Sequence, residues 1–415
     1  MTRTPFTVGI LAAAGGALGL ATIAAGQSQD EVRALVAEMM ADAEGRSSLL
    51  SAGDGGHDGK FFVAGDGFRL NVGGAIQFRY VVSARDDNNA PEDDFSNGFQ
   101  MNDVRLNFSG TVHKDWAYNV DLQVQRDSGN ITLFEGYFGH NFANGVGLYA
   151  GQVKAPIVRE DMTSNFKQLA VDRAPSTDVM RPDIVKAIWL SYAAESWRTW
   201  VTFNSGAGTR NTDFNAVNNA DYAFSGRVEF LFAGKWDQFG DFTSPKGSDF
   251  GTMLGLAAHY QGPHNTPAFG DVDVSVFLYT ADIGVEGDGW NLFGSIIGRH
   301  IDADSFAGDS EFDDFSFVVQ GGVMLTDSWE LFARYDGLML DDERGTAEDF
   351  FSFATIGVNK YFAGHAAKAT FDVVYSFEKT SDLTGLGLLP NTDQGLLGDT
   401  EEGEIVLRAQ FQLLF

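Results

Sequence analysis

The residues best suited to chemistry in this chain are charges, and they fall into two groups. One occupies the 154–184 stretch, where Lys154, Arg159, Lys167, Arg173 and Arg181 stand beside Glu160, Asp161, Asp172, Asp178 and Asp183. The other is spaced singly between apolar residues: Arg69, Arg79, Arg105, Asp121, Arg227, Glu229, Arg334, Asp336, Lys368, Asp372 and Arg408. Opposed charges held across a narrow opening sort solutes by sign and size, with no bond made or broken. Bond-making groups are sparse. The 7 His, at 57, 113, 140, 259, 264, 300 and 365, are isolated in sequence, and no Ser–His–acid set is apparent. With Cys 0, thiol catalysis, thiolate metal sites and disulfides are all excluded. No catalytic residue, metal-ligand set, cofactor site or phosphate-cradling loop is read from the sequence.

Charge also narrows the partners. Asp+Glu 57 against Lys+Arg 28 gives a net of -29, which argues against nucleic acid, since that partner requires basic surface. The acids gather at Asp86-Asp87, Glu92-Asp93-Asp94, Asp302 to Asp314 and Asp341 to Glu343, segments read as loops. Their simplest role is solvation. They are also candidate weak sites for Ca²⁺ or Mg²⁺, which prefer oxygen ligands, although none has the spacing of a defined calcium loop.

The singly spaced charges are explained by the elements that carry them. In the last segment Ile405, Leu407, Ala409, Phe411 and Leu413 lie on one side, and Glu404, Arg408, Gln410 and Gln412 on the other. That alternation makes a strand with one apolar and one wet face. It closes on Phe415, and an aromatic carboxyl-terminal residue on such a strand is the sorting signal of bacterial outer-membrane barrels. Similar segments run at 68–80, 104–112, 118–125, 130–140, 146–153, 185–193, 197–206, 220–232, 250–262, 271–281, 289–301, 314–325, 328–339, 350–362, 365–379 and 403–415. These sixteen predict an all-β fold, a 16-stranded antiparallel transmembrane β-barrel with lipid outside and an aqueous lumen. An inward Arg or Lys then avoids the ~2–4 kcal/mol that it meets at mid-membrane on the lipid face.

Connection lengths agree with that topology. With the first strand rising from the periplasm, the inner connections 113–116, 141–145, 194–196, 326–327 and 363–364 are short. The outer connections 81–99, 154–184, 207–219, 302–313, 340–349 and 380–402 are mostly long. Ser128-Gly129 outside and 233–249 inside are the exceptions. Trp116, Trp197 and Trp329 fall at inner turns, where an aromatic girdle lies. The longest connection, the third outer loop, is predicted to fold into the lumen and form the constriction; the alternative is an external cap against a neighbouring subunit.

The amino terminus differs. Arg3, an apolar run over Phe6 to Ala25 and the small Ala24, Ala25 and Gly26 predict a signal peptide over 1–26. Its loss takes Arg3 with it and moves the net charge to -30, one unit from the -29 of the whole chain. Val32, Leu35, Val36, Met39, Met40 and Ala43 recur at helical spacing, so 27–56 reads as a periplasmic amphipathic helix followed by a Gly- and Asp-rich linker at Ser51 to Gly59. Residues 57–415 are assigned to the barrel.

Several short motifs carry a family resemblance. Gly151-Gln152-Val153-Lys154-Ala155-Pro156, followed by Glu160 to Arg173, resembles the end of the fifth strand and its acidic, Ser-containing continuation in the phosphate- and polyphosphate-selective porins O and P. Asp66 to Gly74 is similar to their first strand, Glu330 to Asp336 to their Glu-Leu-x-x-Arg-Tyr-Asp strand, and Ile356 to Tyr361 and Arg408 to Gln412 to their closing strands. The resemblance implies an integral outer-membrane porin of a Gram-negative cell, a homotrimer with the third loop in the lumen. Such a channel passes small hydrophilic solutes and inorganic ions passively, phosphate and other anions among them. Inward bases partly matched by acids imply weak selectivity. The competing class is a structural or surface-binding barrel, an adhesin or tether without significant conductance; an outer-membrane enzyme is a third reading.

Overall fold

The computed structural model describes residues 54–86, 95–266, 272–305 and 308–415. The signal segment 1–26, the helix within 27–56, and the acids Asp87 and Glu92-Asp93-Asp94 lie outside the described residues. Two short strands, β1 (Asp54–His57) and β2 (Phe61–Gly65), come first. Only β1 occupies part of the stretch expected to be linker; β2 follows it, with Phe61, Phe62 and Val63 paired with Leu70 to Val72, and β1 pairs with β2 in turn.

Sixteen antiparallel strands follow. They are β3 (Phe68–Ala84), β4 (Phe95–Val112), β5 (Trp116–Val124), β6 (Ile131–Asn141), β7 (Val146–Lys154), β8 (Ile184–Ala193), β9 (Trp197–Asn204), β10 (Ala223–Ala233), β11 (Gly251–Thr266), β12 (Val272–Gly287), β13 (Trp290–Ser305), β14 (Gly308–Met324), β15 (Trp329–Met339), β16 (Phe350–Ala363), β17 (Ala367–Ser376) and β18 (Ile405–Leu414). Each pairs with the next, and β18 pairs with β3 from Ile405↔Ala84 to Leu414↔Ala75, which closes the cylinder. The seam is extended by the terminal residue. Gly74 N–H donates to the Phe415 carbonyl at 2.7 Å, and Phe415 N–H donates back to Gly74 at 3.0 Å. Gly74 is glycine for a local reason: a Cβ there would stand 2.5 Å from the Phe415 ring.

Alternation sets the two faces. Along β15, Trp329, Leu331, Ala333 and Tyr335 face out while Glu330, Phe332, Arg334 and Asp336 are buried. Along β18, Ile405, Leu407, Phe411 and Leu413 are exposed while Arg408, Gln410 and Gln412 are buried. Large apolar side chains on the outside of a closed sheet are the lipid-facing band of a membrane barrel. Trp116, Trp197, Trp290 and Trp329 each begin a strand just after an inner turn, so the girdle has one more tryptophan than the sequence reading found.

Two connections differ from expectation. The acidic 302–313 stretch is mostly strand rather than loop, because β13 and β14 pair up to Ser305↔Gly308. Beyond the lipid both faces meet water, so acids interrupt the apolar alternation without breaking the backbone ladder. The long inner connection 234–250 turns into the barrel, with Phe239 and Phe242 buried and Thr243 bonded to Tyr361 at 2.8 Å.

Candidate channel constriction

The third outer loop leaves β7 at Lys154 and lies inside the barrel. It contains a helical turn, α1 (Arg159–Met162), a 3-10 turn over Asn165–Lys167, and a second short helix, α2 (Pro175–Met180). Its own side chains fold it. The Arg173 guanidinium donates to the carbonyls of Glu160, Asp161 and Thr163 at 3.1–3.2 Å and to Asn165 at 2.6 Å. Glu160 accepts from the Ala174 N–H at 2.9 Å and the Thr177 hydroxyl at 2.6 Å. Burial alone would raise the Asp161 carboxyl, but Arg181, Arg173 and Lys154 outweigh it and hold it below the ordinary carboxylate range. Arg181 is matched three times over, by Asp161, Asp178 and Asp183.

The wall holds this loop by its backbone. Arg227 donates to Ile157 O (2.9 Å), Gln412 to Phe166 O (2.8 Å), Lys368 to Gln168 O (2.9 Å), Asn359 to Leu169 O (2.9 Å) and Arg334 to Asp172 O (2.8 Å). Two acids work in the opposite sense. Asp372 accepts from Val171 N at 2.9 Å, and Asp336 from Ser176 N at 3.1 Å. A buried carbonyl or N–H left without a partner costs ~1–3 kcal/mol, so this series specifies where the loop lies. Arg79, Arg227, Arg334, Lys368 and Arg408 thus point inward, yet they sit beneath the loop rather than in open water. Arg79 pairs with Asp172, Arg227 with Asp282 and Glu229, and Arg408 with Asp372. Arg159 also lies inside, tied to the Phe239 carbonyl and facing Glu229 at 3.7 Å. Lys167 is exposed on the 3-10 turn.

The interior is therefore not uniformly wet. On the β12 to β18 side, Ile157, Val158 and Met180 of the third loop pack with Leu383, Leu388, Leu389 and Leu396 of the last outer connection against Leu338, Phe351 and Val406. The free space lies on the opposite side, against β3 to β9. A larger cavity of about 890 Å³ extends from Lys60, Arg69 and Phe415 to Arg105, Asp121, Glu135 and Lys154. A smaller one of about 240 Å³ is lined by Asp103, Arg126, Asp172, Arg173, Asp178, Arg181, Asp183, Arg210 and Asp393. Phe134 and Lys154 line both cavities.

Phe134 reaches this position through a β-bulge. The β5–β6 register runs Asp121↔Glu135 and then Leu122↔Leu133, which leaves Phe134 as the extra residue. A bulge re-aims one side chain, and here it turns a ring inward and buries it. Arg105 stacks on that ring at 3.5 Å; Arg210 stands 4.9 Å and Lys154 5.9 Å from its centre. A second bulge, between Gln77↔Asp103 and Phe78↔Met101, leaves Asn102 as the extra residue beside the same opening. Phe134, Arg210, Arg126, Asp393 and Lys60 were not singled out from the sequence. Period-2 reading places Phe134 on the wrong face, and the others come from connections whose folding is not local.

The described residues offer little for bond chemistry. They contain no group of three or more His, Asp or Glu placed to hold a metal ion. One Ser–His contact does form, Ser225 Oγ to His259 Nδ1 at 2.9 Å. The other His259 nitrogen meets Gln261 rather than an acid, and both residues are buried.

Residues 70–253 match the phosphate-selective porin O and P family. The motif from Gly151 to Arg173 and most of the first-strand motif fall within that match. No curated protein sequence matches the chain. Among solved structures, the anion-selective porin from Comamonas acidovorans superposes with a TM-score of 0.58 at 11% identity, covering 83% of this chain and 99% of its own. The outer-membrane channel DcaP of Acinetobacter baumannii gives 0.57 at 11% identity, with 84% and 99% covered. Salmonella typhi OmpF, in complex with daunomycin, gives 0.56 at 12% identity, with 85% and 100% covered. At such identities the likeness establishes the porin barrel fold. Family match and fold together point to a Gram-negative outer-membrane channel for small solutes rather than an enzyme.

Proposed function

We propose that this barrel is a passive outer-membrane porin whose narrowest passage lies at Phe134 and Lys154, between the two cavities. The observation that carries the reading is that one closed, lipid-faced cylinder leaves polar space on both sides of a cation-ringed aromatic. The gating charges of this account are Lys154, Arg105 and Arg210 with Arg173, Asp178 and Arg181 of the third loop; Arg159, Glu160, Asp161, Arg227, Arg334, Lys368 and Arg408 act by holding the loop in place. Solutes move down their gradients.

The charge balance favours weak anion preference. The larger cavity presents Lys60, Arg69, Arg105 and Lys154 with Asp121 and Glu135. Arg69 is paired with Asp58 at 2.5 Å and Arg105 with Asp103 at 2.7 Å, while Lys60 and Lys154 bond amide and carbonyl oxygens, so any anion preference rests on the two lysines. The smaller presents five bases and five acids, which gives little further discrimination. Phosphate belongs among the permeant anions of this reading without a dedicated site for it. A homotrimer and a periplasmic helix over 27–56, after cleavage of 1–26, complete the proposal. The test is the zero-current potential of the purified protein in a planar bilayer under a KCl gradient. An anion-selective sign that shrinks as salt rises supports the account; a cation-selective sign rejects the assignment of the passage.

A further inference from the structure

The larger cavity has a feature that a simple water-filled passage does not require. Four consecutive strands, β6 to β9, turn Tyr137, Tyr149, Trp189 and Trp200 inward, and all four line the same space. Tyr149 is opposite Trp189 in the β7–β8 register and stacks on it, with ring centres 5.3 Å apart and planes 11° from parallel. Tyr137 meets Trp189 edge-on at 5.5 Å. The wall is hollowed to seat Tyr149. A Cβ on Gly139 would stand 2.1 Å from its ring, and one on Gly147 2.4 Å. Both glycines have ordinary negative φ, so the demand is for room rather than for backbone freedom.

We propose that this ring cluster, with the lysines Lys60 and Lys154 of the same cavity, is a binding subsite for aromatic carboxylates on their way through the channel. Aromatic faces attract a flat ring through offset or edge-on stacking. Lys60 and Lys154, whose ammonium groups bond an amide oxygen and backbone carbonyls, supply the positive charge that holds a carboxylate in the same space, whereas Arg69 and Arg105 are already paired with Asp58 and Asp103. An apolar ring without charge gains nothing from the lysines, and acetate gains nothing from the rings. The cavity reaches from the passage at Phe134 down to Lys60 and Phe415, so the subsite opens toward the inner rim. The inference deepens the channel reading and rests on it for the route, though not for the binding itself.

The plainer role of these rings is to pack the start of the third loop, because Tyr137, Tyr149, Val153 and Trp200 lie against the cluster containing Ala155 and Ile157. The experiment separates the two roles. The full chain, folded in detergent, is titrated calorimetrically with benzoate, with acetate and with glucose; Trp200→Leu, which keeps apolar bulk, and Trp200→Ala are titrated in parallel. Benzoate is predicted to bind saturably and acetate and glucose not to, with Trp200→Leu weakening benzoate roughly three- to tenfold, the range that ring–ring contacts give. Added to the inner side of a bilayer, benzoate then reduces the current more than acetate does. Equal binding of benzoate and acetate, glucose binding as tightly as benzoate, or unchanged affinity in Trp200→Leu overturns the inference. Calorimetry reads the site without conduction, so a silent bilayer condemns the channel reading and leaves the ligand result to be judged separately.

Discussion

Arg408→Met should release the third loop without opening the barrel. Arg408 is buried and makes a two-pronged pair with Asp372, both contacts at 2.8 Å, and its third arm donates to the Gln394 carbonyl at 3.1 Å. Asp372 in turn accepts from Val171 N in the loop. Methionine keeps the volume and leaves a buried carboxylate without its cation, a loss of ~3–5 kcal/mol. The β17–β18 ladder, paired from Ala367↔Leu413 to Tyr375↔Ile405, is untouched, so the defect falls on the loops that meet there. If only ~2 kcal/mol of it reaches the third loop, the opened population rises about thirtyfold. Trypsin cleavage after Lys167 follows that population when closing outpaces cutting. The double variant Arg408→Met/Asp372→Leu removes both charges and leaves the buried Val171 N–H without its acceptor, ~1–3 kcal/mol against the ~3–5 kcal/mol of the single variant, so its cleavage should fall below that of Arg408→Met. Cleavage of the single variant at the parental rate, or of the double variant as fast as the single, would refute the idea that wall charges pin the loop.

Three further outcomes follow from the same geometry. Lys154→Gln combined with Arg105→Gln removes two of four bases from the larger cavity, and the zero-current potential should move toward cations; an unmoved potential places the filter elsewhere. Phe134→Ala removes the ring between the cavities and should raise single-channel conductance measurably, while Phe134→Tyr leaves it near the parent. Because the Asp161 carboxyl is depressed, its contribution is complete above the unfolded Asp value near ~3.9 and fades as pH falls through the lower folded value. The tryptic protection that Asp161 supplies, read as the difference between the parent and Asp161→Asn, should therefore persist from neutral pH down to about 4, and its disappearance within that range would contradict the pairing with Arg181 and Arg173.

The strands were legible because a barrel wall imposes period 2 wherever one side is lipid and the other is not. All sixteen predicted segments correspond to strands, and β18 with Phe415 carries the pattern in its plainest form. Where lipid ends, the rule loses its grip: Asp302 and Glu311 stay in register on β13 and β14, although their acidity suggests loop. The passage was harder to read. The Phe134 bulge shifts the register by one residue, and nothing in Thr132-Leu133-Phe134-Glu135 announces it. Inward Arg and Lys were visible as inward, but alternation cannot tell a base that meets water from one that meets a loop carbonyl. Arg334 and Lys368 do the second, and only the path of the 154–184 segment reveals it.

The central claim is that a continuous aqueous route crosses this protein beside Phe134. Single-channel recording of the purified chain in a planar bilayer tests it most directly. Discrete, long-lived conductance steps that grow with salt and are altered by Phe134→Ala are what the account predicts. A folded, membrane-inserted protein that yields no steps, or steps indifferent to that substitution, would contradict it.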